Sequence, residues 1–134
     1  MLASHICQSA FVALASVNLE RQVEFYQAFL AIAPSLNTPT YTEFQLPGLR
    51  LAIFQPKEDH SLEFVATTSE TIISETITSG TMSICIEVSS LDEAIARLKS
   101  LGYSPPGKIL HASHGKEIYA YDPDGNRLIL HQGR

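Results

Sequence analysis

"FVALASVNLERQVEFYQAFL" at residues 11–30 and "SICIEVSSLDEAIARLKSLG" at residues 83–102 are two copies of one pattern, and their register decides the fold. A shift of 83 − 11 = 72 positions carries Phe11 onto Ser83, Leu19 onto Leu91, Glu20 onto Asp92, Val23 onto Ile95 and Phe29 onto Leu101. An internal repeat of this length fixes the topology of a whole chain, because each copy must adopt the same unit. Both copies open on a short apolar run that predicts a strand. Both continue with apolar residues at the spacing of one helix face: Leu19, Val23, Tyr26 and Leu30 in the first, Leu91, Ile95, Leu98 and Leu101 in the second. Asn18 and Ser90 stand where N-caps belong, since a short polar side chain accepts from the free amides of the first turn. Gly102 suits the left-handed residue that ends a helix.

The repeat continues past the helices. "TEFQLPGLRLAIFQ" at 42–55 lies over "KEIYAYDPDGNRLILHQ" at 116–132 once the second turn is allowed a short insertion, and "GLRLAIFQ" then matches "GNRLILHQ" in character. Both read as hairpins, with Pro47-Gly48 and Asp124-Gly125 supplying turn residues that tolerate positive φ. A short strand before each hairpin, near Leu36 and across 108–112, completes the set. The predicted fold is α+β: two tandem βαβββ units, at about 8–56 and 81–133, within a single domain spanning 1–134. The join at 57–80, rich in Ser, Thr and Glu, carries β-branched residues at roughly alternating spacing, which predicts an edge strand or arm across its middle.

Composition narrows the function classes. A chain of 134 residues can bury a core unaided, and 45% hydrophobic with 17% charged residues is a folded rather than a disordered balance. The net charge of −5 comes with no Lys/Arg cluster to hold a phosphate backbone, so nucleic acid is not an expected partner. Cys7 and Cys85 have no CxxC spacing. Reduced thiols in a cytoplasmic protein are the expectation, with a disulfide between them as the alternative. No Lys or Arg precedes the apolar run near the N-terminus, Gln8 and Ser9 interrupt it, and nothing approaches the ~20 apolar residues of a membrane span, so no membrane partner is expected.

Strand phase assigns the faces. Ile84, Ile86 and Val88 share the side that packs on a helix, which puts Ser83, Cys85 and Glu87 on the other; a one-residue slip would exchange the two. Leu128 and Leu130 likewise pack inward, leaving Arg127, Ile129 and His131 outward. The same rule groups Phe11, Arg50, Ala52 and Phe54 with Glu43 and Gln45, and Glu117 with Tyr119 and Tyr121.

Two βαβββ units, the second closing with "YDPDGNRLIL", resemble the vicinal oxygen chelate superfamily, which includes glyoxalase I, extradiol dioxygenases, fosfomycin resistance proteins and bleomycin resistance proteins. The resemblance covers nearly the whole chain outside 57–80. It implies curved mixed sheets around a cavity, and a homodimer. It gives Asp122, Pro123, Asp124 and Asn126 a structural role in a turn; a calcium loop would continue to a bidentate Glu, whereas Arg127 and an apolar run follow.

The resemblance also implies where metal donors would sit, on the first and last strands of each unit. Those positions hold Phe11, Ala52, Ser83 and Ile129, none of them a usual ligand for Zn, Fe, Mn or Ni. No metal or other cofactor is therefore expected, and the nearest character is that of metal-free, bleomycin-resistance-like members. The expected ligand site comprises Phe11, Arg50, Phe54, Ser83, Cys85, Glu87, Tyr119, Tyr121, Arg127, Ile129 and His131, an apolar lining with polar anchors suited to a small apolar or aromatic ligand. No catalytic residue is assigned. His131 stands between ligand or base and a plain solvent or dimer contact, and Cys85 between nucleophile and inert thiol. Two other readings stay open: a metal-dependent lyase, isomerase or dioxygenase using His111, Glu117 and His131, and a dimeric protein whose cavity is filled.

Overall fold

The computed structural model describes residues 6–64 and 80–134. Unit one runs β1 (Val12–Ala15), α1 (Leu19–Leu30), β2 (Leu36–Thr38), β3 (Tyr41–Leu46) and β4 (Leu49–Phe54). Unit two runs β5 (Ile84–Glu87), α2 (Leu91–Leu101), β6 (Leu110–Ala112), β7 (Gly115–Tyr121) and β8 (Arg127–Gly133). The first strands of the two units are thus 72 positions apart, as the repeat requires. Each unit forms a four-stranded mixed sheet, ordered β1-β4-β3-β2 and β5-β8-β7-β6, and neither closes into a barrel. The α+β reading holds. The start of the join forms a 3-10 turn, Glu58–Phe64, and the arm expected farther along lies outside the described residues.

Helix ends follow local chemistry. Asn18 Oδ1 accepts from the Arg21 amide at 3.2 Å, and Ser90 Oγ from the Glu93 amide at 3.1 Å, so both caps serve the same first-turn position. Both helices end on a left-handed residue, Gly102 (φ 94) in α2 but Ala31 (φ 56) in α1, where the Cβ adds steric cost. The hairpin glycines Gly48 and Gly125 take φ 83 and 88, which a side chain would disfavour.

One apolar core spans both units. Leu19, Val23, Phe25, Tyr26 and Phe29 of α1 pack with Leu91, Ala94 and Leu98 of α2 and the inward residues Phe44, Leu51, Ile53, Ile118, Leu128 and Leu130. The Phe25 ring meets Tyr26 and Tyr103 edge-on at 5.0 and 5.2 Å, joining α1 to the segment after α2. The sequence pattern marked the apolar face of α1 but not Gln22, which is fully buried there.

Gln22 is explained by the "DPDGN" turn. Asp122, 3% exposed, accepts from Gln22 Nε2 at 2.7 Å, from the Tyr26 hydroxyl at 2.6 Å, and from the amides of Asp124 and Asn126 and the Asn126 side chain at 2.9–3.0 Å. A buried carboxylate is tolerable when its lone pairs are spent in this way. The acids of the turn are structural, as expected, and Asp122 also ties unit two to α1 of unit one. Burial, reinforced by the Asp122 carboxylate, raises the Tyr26 hydroxyl well above its ordinary pKa. Arg21 adds an exposed ion pair to Asp124 at 2.7 Å, which is worth under about 1 kcal/mol.

Candidate functional site

The helices cover one face of each sheet, and the opposite faces carry the candidate residues. Val12, Leu14, Ile86 and Val88 pack against the core, so the intervening residues point away from it. The strand register then orders them in rows. On sheet two Cys85 lies beside Ile129, and Ile129 opposite Tyr119; Glu87 lies beside His131, and His131 opposite Glu117; Arg127 faces Tyr121, with Ser83 one step before β5. On sheet one Arg50 faces Gln45, Ala52 sits between Ala13 and Glu43, and Phe54 between Ala15 and Tyr41. The eleven candidates thus fall on two sheet faces: Phe11, Arg50 and Phe54 on the first, the rest on the second.

These faces stay accessible in the single chain. Phe11 is 44% and Tyr119 40% exposed, and Cys85 and Glu87 are exposed as well. Phe64 of the 3-10 turn meets Phe54 edge-on at 5.2 Å and shields part of sheet one. Both Cys7 and Cys85 are free thiols.

Arg50, Arg127 and His131 each have a specific partner that strand phase alone could not name. The Arg50 guanidinium carbon lies 4.1 Å from the centre of the Phe11 ring, a cation–π contact, while its Nε is buried without a hydrogen-bond partner. Arg127 Nε donates to Ser83 Oγ at 2.7 Å, and its Nη2 to the Gly80 carbonyl at 2.7 Å. His131 Nδ1 sits 2.8 Å from Glu87 Oε2, its ring stacked 5.3 Å from that of His114, and its Nε2 is buried and unpartnered. Such a carboxylate fixes imidazole orientation, but a sealed Nε2 cannot take a proton from a substrate. The Tyr41 hydroxyl donates to Glu43 at 2.6 Å, and that hydrogen bond, ahead of desolvation, raises its pKa.

His111 does not join Glu117 and His131. Leu110 pairs with Glu117 and His111 with Lys116, so alternation sends His111 to the other face of the sheet. Among the described residues, no group of three or more His, Cys, Asp or Glu side chains is placed to hold a metal ion. Outside the sheet faces, a groove of about 250 Å³ runs between α1 and α2, but the Arg97 beside it already donates to the Phe29 carbonyl at 2.8 Å. No helix among the described residues is long and apolar enough to cross a membrane.

The family model described as Glyoxalase/Bleomycin resistance protein/Dioxygenase superfamily matches residues 8–130. The chain belongs to this superfamily. Similar solved structures include a glyoxalase-related enzyme from Fulvimarina pelagi, at 24% identity and TM-score 0.70, covering 95% of this chain and 89% of that one. A lactoylglutathione lyase from Agrobacterium tumefaciens aligns at 19% identity and TM-score 0.65, covering 95% of each chain. A fosfomycin resistance protein from Listeria monocytogenes, in complex with manganese(II) and sulfate, aligns at 21% identity and TM-score 0.68, covering 97% of this chain and 93% of that one. At such identities the likeness is one of fold. No curated protein sequence matches the chain.

Superfamily membership raises the question of a metal, and the residues can be tested against it. The positions at which the resemblance places donors present a phenyl ring, a methyl group, a hydroxyl already accepting from Arg127, and a branched alkyl group. A catalytic divalent ion needs about three imidazole, thiolate or carboxylate donors. These four positions do not fit one.

Proposed function

We propose that this superfamily member is a metal-free, cytoplasmic, homodimeric protein that binds a small, partly apolar ligand on its outward sheet faces. The observation that carries the reading is the content of the donor positions: Phe11 and Ser83 are engaged by Arg50 and Arg127, and Ala52 and Ile129 offer only carbon. The apolar row of Cys85, Ile129 and Tyr119, half open to solvent, supplies contact area for a planar or aliphatic body. Sequestration needs a shaped face and affinity, and no reacting group. Exposed sheet edges and apolar side chains in so small a chain are the features a second copy would cover.

Elemental analysis of the purified protein is expected to find far less than one Zn, Ni, Mn or Fe per chain. Close to one per chain, lost in His131→Ala, would overturn the metal-free reading. Saturation-transfer NMR with neutral 2-naphthamide is expected to show binding that Ile129→Trp abolishes while the melt is unchanged. Light scattering should report about twice the chain mass.

A further inference from the structure

The two arginines on the sheet faces occupy equivalent places in the internal repeat. "GLRLAIFQ" over "GNRLILHQ" carries Arg50 onto Arg127 and Ala52 onto Ile129. Each arginine stands two residues before the last donor position of its unit and touches the first: Arg50 lies over Phe11 at 4.1 Å, and Arg127 Nε reaches Ser83 Oγ at 2.7 Å. The chain thus brings a permanent positive charge beside the donor positions of both units.

We infer that the ligand is an organic anion, its carboxylate or similar oxyanion held at Arg127 and its apolar body lying over Ile129 and Tyr119. The inference rests on the ligand-binding reading above. Donor capacity remains at Arg127, whose bonds to Ser83 and Gly80 use only Nε and Nη2, whereas the unpartnered Arg50 Nε is sealed from solvent. A guanidinium is suited to oxyanions by its planar fork of donors, and Ser83 holds that of Arg127 in place.

On sheet two the acids lie away from the arginine row. Alternate residues along a strand are roughly 7 Å apart, so Glu87 and Glu117 stand two rows, roughly 13 Å, from Arg127, with Glu87 paired to His131. Glu43 lies one row from Arg50 and takes the Tyr41 hydroxyl at 2.6 Å. Sheet two therefore presents a cationic row followed by an apolar one, a polarity that matches an amphiphilic anion, whereas the row after Arg50 holds Glu43 and a fully buried Ala52.

The test uses 2-naphthoate and 2-naphthamide, which share a ring system and differ in charge, titrated into the full chain and followed by NMR. Naphthoate should bind about tenfold more tightly, the scale of one charge-assisted hydrogen bond. Arg127→Gln should bring naphthoate down to the affinity of naphthamide, and Arg127→Lys should keep part of the preference, with thermal melts checking that both remain folded. Equal binding of the two probes to the native protein overturns the anion inference and leaves the ligand-binding reading standing. Binding of neither probe overturns both. A preference that survives Arg127→Gln removes that arginine from the site and overturns the anion inference.

Discussion

Tyr26 donates its hydroxyl hydrogen to Asp122 Oδ2 at 2.6 Å across 96 positions of sequence, and both residues are almost fully withdrawn from water. The bond joins the first helix of unit one to the closing hairpin of unit two. A buried hydrogen bond to a carboxylate contributes about 2 kcal/mol. Tyr26→Phe should therefore lower the unfolding free energy by that amount. Asp122→Ala, which strands Gln22, Tyr26 and the turn amides together, should cost about 4 kcal/mol. Urea denaturation measures both, and an Asp122→Ala loss under about 1 kcal/mol would refute the cross-unit clamp.

The same pair predicts an alkaline limit. Burial and the Asp122 carboxylate raise the Tyr26 pKa in the folded state. Below the ordinary tyrosine value both states keep the proton and the contribution to stability is complete. As pH rises past that value the unfolded chain ionises first, so stability falls until the raised folded value is passed. Phenolate absorbance of Tyr26 should appear only with unfolding, and Tyr26→Phe should flatten the alkaline slope of the melting temperature.

Ala31 ends α1 at φ 56, whereas α2 ends on Gly102 at φ 94. A β-carbon in the left-handed region costs more than the extra chain entropy of glycine. Ala31→Gly should stabilise the protein by about 1 kcal/mol in thermal or urea unfolding. An unchanged or lowered midpoint would show that α1 ends without strain.

Ile129→Glu restores a carboxylate at one donor position without supplying the others. Ile129 lies between exposed Cys85 and Tyr119 in the strand register, so the new group can reach water. The expected change is under about 1 kcal/mol, with little dependence on pH. In a sealed site the folded pKa would rise, and stability present in mild acid would be lost as pH climbed to neutral. Melts in mild acid and at neutral pH distinguish the two, and a large loss confined to neutral pH would favour a filled cavity over a ligand face.

Much of this protein is legible in the sequence because the signals are local. The 72-residue repeat, the caps Asn18 and Ser90 and the turn glycines act within a few positions of themselves, and alternation along a strand assigns faces without knowing what they meet. That sufficed to place Phe11, Arg50, Ser83, Arg127, Ile129 and His131 on the outward faces. What each touches depended on which strands became neighbours. Ser83 accepts from Arg127 only because β5 runs parallel to β8 in one register, and Glu87 reaches His131 for the same reason. Phe11 meets Arg50 because β1 lies beside β4. Gln22, a polar residue on an apolar helix face, had no local explanation, since its partner Asp122 is 100 positions away and is delivered by the packing of α1 against the second unit. Periodicity fixes the direction of a side chain, whereas its partner is chosen by long-range register, which only the assembled sheets decide.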